Sequence, residues 1–186
     1  MMDYSFSGSR HEDRPSRRRF AVVIYLPPPL EQIVAPLRER FDPDYDIVAA
    51  HITLVFPWQT TRSIAELSEI LSGEIEKWES LTVELGSIGD FYPTAPIIYW
   101  GVKNKDVLAR LYGLLYARLE LPLPFKDFVP HVTVAKEISH HRVMMVKDEV
   151  ASYLPDESFL PDAVDLISPV GDDRWVSVRT FTLRRG

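Results

Sequence analysis

Two histidines of this chain sit in the same frame. His51 opens HITLVF (residues 51–56) and His131 opens HVTVAK (residues 131–136), each followed two places on by a threonine, Thr53 and Thr133. Two of the chain's five histidines therefore share one pattern, 80 residues apart. In an extended strand, residues i and i+2 point to one face and the residues between them to the other. His51 and Thr53 then share a face opposite Ile52 and Leu54, and His131 and Thr133 share a face opposite Val132 and Val134. The apolar sides can pack under helices, which leaves each imidazole and hydroxyl aimed outward together. Two such strands facing one cleft suit phosphodiester cleavage without a metal. One neutral imidazole takes a proton from the attacking oxygen, and the other, protonated, gives one to the departing oxygen. A histidine pKa of about 6.5 lets both forms exist near neutrality. The threonine hydroxyls can donate hydrogen bonds to the non-bridging oxygens, where charge accumulates.

The bulk properties leave room for that chemistry. The chain has 186 residues, enough for one large domain or two small lobes with a shared core. It is 46% hydrophobic and 26% charged, the balance of an ordinary globular protein. No apolar run approaches the roughly 20 residues that cross a bilayer, so no membrane partner is expected. The absence of cysteine excludes disulfides, thiolate metal sites and a cysteine nucleophile, and makes a reducing cytoplasm the expected compartment. Residues 1–19 carry +2, so the rest of the chain carries −8 of the overall −6. An acidic body argues against wrapping a long duplex, which needs many phosphate contacts. It is compatible with a small phosphate ester, or the end of an RNA, held in a locally basic groove.

Residues 1–18 are polar and aperiodic and read as a disordered basic tail, with residues 19–186 forming the folded domain. SRRRF (16–20) resembles a twin-arginine export signal, but the apolar run after it, FAVVIYL, is seven residues long and ends in three prolines. That run is expected to be a first strand (20–26). A helix is expected over 27–41, entered through prolines and kinked or restarted at Pro36. A second strand over 47–58 should end near Pro57. A helix follows over 63–79, with Ser63 as N-cap and Glu66 three places on. Strands at 81–91 and 96–102, a helix at 105–119, a strand at 128–138, a helix around 141–153, and strands near 163–168 and 174–183 complete the chain. Strand, helix and a strand with His-x-Thr recur over 20–56 and 96–136, which suggests a duplicated unit.

Neither motif stands beside a second ligand at a familiar metal-binding spacing, so no zinc or other cofactor is expected. His140 and His141 read as exposed helix-start residues, and His11 lies in the tail. Trp58, Tyr92 and Trp100 are candidates to stack on a base, against the alternative of ordinary core or loop aromatics.

The paired motif resembles the 2H phosphoesterases, especially the branch of 2′–5′ RNA ligase-like proteins or RNA 2′,3′-cyclic phosphodiesterases. HITLVF is similar to that family's first motif, and FVPHVTVAK (128–136) to its second; the likeness covers roughly 19–183. It implies His51 and His131 as the catalytic pair and Thr53 and Thr133 as phosphate-holding hydroxyls. It also implies a bilobal α+β fold, with two antiparallel sheets, helices outside and the motifs facing each other across a groove. The expected activity is metal-independent opening of 2′,3′-cyclic phosphates, or hydrolysis of 2′–5′ linkages, on RNA ends or small nucleotides; the alternative is a non-catalytic RNA- or nucleotide-binding module on the same scaffold. Lys136 stands where RNA-acting members often carry arginine, offering a point charge in place of a fork. By parity Lys136 lies on the apolar side unless the strand has already ended. PWQTTR (57–62) replaces the glycine turn common in the ligase-like group.

Overall fold

The computed structural model describes residues 17–184. The chain runs β1 (Arg18–Tyr25), α1 (Pro28–Phe41), β2 (His51–Thr60), α2 (Ile64–Ile75), β3 (Val83–Asp90), β4 (Ile98–Val102), α3 (Asp106–Leu119), β5 (His131–Ala135), α4 (Val143–Tyr153), β6 (Glu157–Phe159), β7 (Ala163–Val170) and β8 (Arg174–Thr182). The fold is α+β, as the family resemblance implied. The expected tail lies largely outside the described residues, but its last residue, Arg18, already belongs to β1. The FAVVIYL run forms the heart of β1, which pairs with β2 on one side and β7 on the other.

The expected two sheets are one. Antiparallel ladders run in the order β6-β3-β4-β5-β2-β1-β7-β8. Its halves meet at β2 and β5, through the single residue pair Ile52 and Val132. Two separate sheets would leave both inner strands with wholly unpaired edges beside the core, and joining at this pair closes part of that gap. Helices cross the join. α1, which connects β1 and β2, packs on β5, while α3, which connects β4 and β5, packs on β2. Two hydrogen bonds repeat the crossing: the Lys136 amide donates to the Phe41 carbonyl at the end of α1, and the Phe56 amide donates to the Tyr116 hydroxyl of α3. Phe56 and Lys136 each lie five residues after their motif histidine. A seam with little ladder of its own is thus held by helices swapped across it.

The main core lies between the sheet and the helices. Ile52, Leu54, Val132 and Val134 are fully buried in it, as strand parity requires, while His51, Thr53, His131 and Thr133 remain part-exposed on the other face. Leu67, Leu71 and Ile75 bury one side of α2, and Ser63 and Glu66 close the expected capping box at its start. Neither proline ends its element: the helix does not restart at Pro36 and the strand does not stop at Pro57. α1 runs through Pro36 without a break, because Pro36 and Gln32 lie on the solvent side, where water can satisfy the carbonyl left without a donor. β2 continues past Pro57 to Thr60, because Phe20 pairs with Trp58 and Val22 with Val55, so that Phe56 and Pro57 together oppose Ala21. Proline is tolerated in such a bulge, where the ladder is already interrupted.

Candidate functional site

The Ile52–Val132 pair fixes an antiparallel register that carries His51 toward Thr133 and Thr53 toward His131. All four side chains line one cleft of about 380 Å³, together with Lys136. The same cleft receives Arg38, Asp42 and Asp44 from the end of α1 and the following loop, and Ala21, Val23, Ile167 and Trp175 from β1, β7 and β8.

The two imidazoles are held alike. His51 Nδ1 lies 2.8 Å from the Ala49 carbonyl, and His131 Nδ1 lies 2.7 Å from the Val129 carbonyl, in both cases two residues back along the chain. A carbonyl only accepts, so each Nδ1 carries the proton and each Nε2 keeps its lone pair for whatever enters the cleft. Aromatic rings shield them. Phe91 meets His131 edge-on at 5.0 Å between centroids, Tyr99 approaches it at 5.0 Å, and Tyr25 meets His51 edge-on at 6.2 Å. Tyr99 lies so close over Gly89 that a Cβ there would run into its ring, so the wall beside His131 needs glycine at this position.

Shielding sets the charge state. Burial pushes His51 down from 6.5 to about 4; the positive charges of Arg38, Lys136 and His131 act in the same direction, and the Ala49 carbonyl opposes them. Burial likewise lowers His131, against the Val129 carbonyl. Both rings are therefore neutral at pH 7 in the free protein. The consequence for stability has a definite sign. Below pH 6.5 the unfolded chain takes up a proton at position 51 that the folded chain refuses until about pH 4. Stability present above pH 6.5 is lost as the pH falls through this window, by about 2–3 kcal/mol from His51. Urea midpoints measured at pH 7.5, 6 and 5 should drop accordingly, and His51→Gln should flatten the slope by the His51 share, leaving the part that His131 contributes; an unchanged slope would place the titration elsewhere.

Beside His51 stands a buried ion pair. Arg38 donates from Nε and Nη2 to Asp42 Oδ2 at 3.0 and 2.9 Å, and Nη2 also donates to the Val48 carbonyl at 2.9 Å. Glu31 accepts from the Ala50 amide at 3.0 Å. Residues of α1 thus grip the loop that presents the Ala49 carbonyl to His51. Lys136 follows the last residue of β5, so parity no longer turns it into the core, and its ammonium pairs with Asp44 at the cleft wall.

Other expected residues lie elsewhere. Trp58 packs on Phe20 and the main core, and Trp100 is wholly buried; neither lines the cleft. Tyr92 is 40% exposed and stacks on His140 at 4.7 Å, outside the cleft lining. His140 and His141 are exposed in a single 3₁₀ turn before α4. Residues that sequence reasoning missed include Arg38, Asp44, Tyr99 and Trp175. Arg38 did leave a trace: it falls on the stripe of Leu30, Val34, Leu37 and Phe41, where a charge needs a buried partner. Among the described residues, no three histidine or acidic side chains converge as a metal site, and no helix is long and apolar enough to cross a membrane.

The chain is similar over nearly its whole length to proteins and structures of one group. It is 29% identical over 166 residues to a Geobacillus kaustophilus protein named "Putative phosphoesterase GK0864", covering 88% of this chain and 95% of that one. A "Putative phosphoesterase" of Bacillus pumilus is 27% identical, with 89% and 97% covered. The fold matches E. coli LigT complexed with 3′-AMP at a TM-score of 0.67 and 18% identity, over 90% of this chain and 99% of LigT. LigT complexed with phosphate gives 0.62 and 19%, over 90% and 98%. The model of the 2′–5′ RNA ligase superfamily matches residues 26–173, which take in both His-x-Thr strands, and the chain belongs to that superfamily, the 2H phosphoesterases.

Proposed function

We propose that this protein is a metal-independent phosphodiesterase that opens 2′,3′-cyclic phosphates, or cleaves 2′–5′ linkages, at RNA ends or in small nucleotides. One observation carries the reading: two His-x-Thr pairs share a single cleft, and each imidazole has its Nδ1 tied to a carbonyl and its Nε2 left free. A phosphodiester between the rings brings a negative charge that raises both imidazole pKa values, so that one ring is protonated when substrate is bound. The neutral ring removes the proton from water as its oxygen attacks phosphorus. The bond from phosphorus to the 3′ oxygen breaks, and the protonated ring supplies the proton that this oxygen takes up. The product is a 2′-phosphate, and the two rings end the step with protonation states exchanged. Thr53 and Thr133 donate to the non-bridging oxygens. Lys136 exchanges Asp44 for the phosphate, a charge adjustment within reach of a long flexible side chain. The presence of both complete pairs favours catalysis over mere binding, which needs only one proton donor.

The nearby fold supports a nucleotide substrate. LigT structures hold 3′-AMP, ATP and NADP+. The crossed helices and the matching roles of Phe56 and Lys136 support a duplicated pair of strand–helix–strand units, with one half-site on each. The test is incubation with 2′,3′-cyclic nucleotides in EDTA across pH 5–9. Turnover to the 2′-phosphate with a bell-shaped profile is expected. A strict metal requirement would overturn the mechanism, and binding without turnover on cyclic and 2′–5′ substrates would assign the scaffold to binding alone.

A further inference from the structure

The cleft neutralises its own charges. The ionisable residues of its lining are Arg38, Lys136, Asp42, Asp44 and the two histidines. Two cations therefore face two carboxylates, around two rings that are neutral at pH 7. Arg38 and Asp42 satisfy each other, buried and joined by two hydrogen bonds. Lys136 and Asp44 are not sealed in. Their side chains are 31% and 38% exposed, so water can solvate either one when the pair parts.

Only one of these two can move away. Lys136 reaches the cleft wall on a long flexible stem. Asp44 has a short side chain on a turn held from both ends. Its amide donates to Asp42 Oδ1 at 3.1 Å, and its carbonyl accepts from the Ile47 and Val48 amides at 3.0 and 3.1 Å. When Lys136 swings to a phosphate, Asp44 stays at the wall as an unpaired negative charge. A phosphodiester brings one negative charge, which a single protonated imidazole balances. Ring opening leaves a monoester whose second proton has a pKa of about 6, so the charge at phosphorus grows to about −2 at neutral pH. That second charge meets no further cation among the described residues of the lining. It meets Asp44, or the cost of protonating a second ring that burial keeps neutral.

We propose that Asp44 makes the cleft select by charge: monoanionic diesters are held, and the dianionic monoester left by ring opening is expelled. Asp44 thereby sets product release and keeps ordinary phosphate monoesters from blocking the site. This rests on the proposed phosphodiester chemistry for the placement of the phosphate between the rings. Asp44 is a specificity residue and carries no proton in the reaction. In a part-exposed cleft its repulsion of one added charge amounts to about tenfold in affinity.

The experiment is calorimetric binding of a nucleoside 2′-monophosphate and of the matching 2′-methylphosphonate to the full chain at pH 8, which needs no turnover. The second compound carries a methyl group in place of one oxygen, which holds it at a single negative charge. The wild type should bind the methylphosphonate about tenfold more tightly. Asp44→Asn should bring that ratio close to one, mainly by tightening the monophosphate, and Asp44→Glu should keep most of it. Thermal melting checks that both variants fold, and the wild-type ratio tests the proposal even if the Asn variant does not. Equal wild-type affinities, or tighter binding of the monophosphate, overturn the charge selection. So does a ratio that survives Asp44→Asn, or a methylphosphonate that does not bind. A charge preference in a protein that turns over no cyclic phosphate keeps the selection and refutes the hydrolase reading; turnover without such a preference does the reverse.

Discussion

His51→Ala and His131→Ala should each lower kcat/KM on a 2′,3′-cyclic nucleotide by about 10³–10⁴-fold, and the double variant should lose scarcely more than either single one. The reason is the shared proton inventory. In the proposed mechanism, removal of water's proton and protonation of the leaving oxygen occur in one step, so loss of either ring would disable the route that both serve. Thr53→Val and Thr133→Val should cost less, about 10–100-fold each, because a lost hydroxyl weakens stabilisation of the phosphorane without removing a proton carrier. Multiplying single effects in the double histidine variant would mean that the rings act on separate events. Near wild-type activity in either single variant would remove that ring from the chemistry.

The second large effect is on stability. Arg38 is 2% exposed and Asp42 is 5% exposed, so Arg38→Ala leaves a buried carboxylate without its cation. Such a break costs about 3–5 kcal/mol. Replacing both partners by apolar residues of similar size, as in Arg38→Met with Asp42→Leu, should recover most of that loss in urea unfolding. Activity should not recover with it, since the Arg38 bond to the Val48 carbonyl helps hold the loop that orients His51. Arg38→Lys should also fall short, because one ammonium cannot reproduce a guanidinium that serves Asp42 and Val48 together. A loss under 1 kcal/mol for Arg38→Ala would show that the pair is hydrated in solution.

Most of the helices and the motif strands were legible because their cause is local. Period-two burial in HITL and HVTV, the 3.6 spacing of α2 and the Ser63–Glu66 box all act within a few residues. What escaped depends on partners distant in the chain. One sheet or two was decided at the Ile52–Val132 pair, whose members lie 80 residues apart. The donors that Pro36 and Pro57 lack are replaced by water on the solvent face of α1 and are not called for in the bulge opposite Ala21. Of the site, the sequence showed the groups that carry protons but not those that surround them. Trp58, Tyr92 and Trp100 were the visible aromatics near the motifs, yet Trp175 reaches the cleft, because β8 returns to the first half through β7.

The claim that His51 and His131 serve a single anion has a direct measurement: histidine nitrogen resonances followed by NMR across pH 4–8, with and without saturating sulfate, an anion that does not itself titrate there. In the free protein both imidazoles should titrate below 6.5, with His51 near 4. With sulfate bound, the apparent values of the pair should rise together by at least about one unit, through Coulomb attraction to the bound anion. A rise confined to one ring, or none in either, would contradict a shared phosphate site and with it the mechanism.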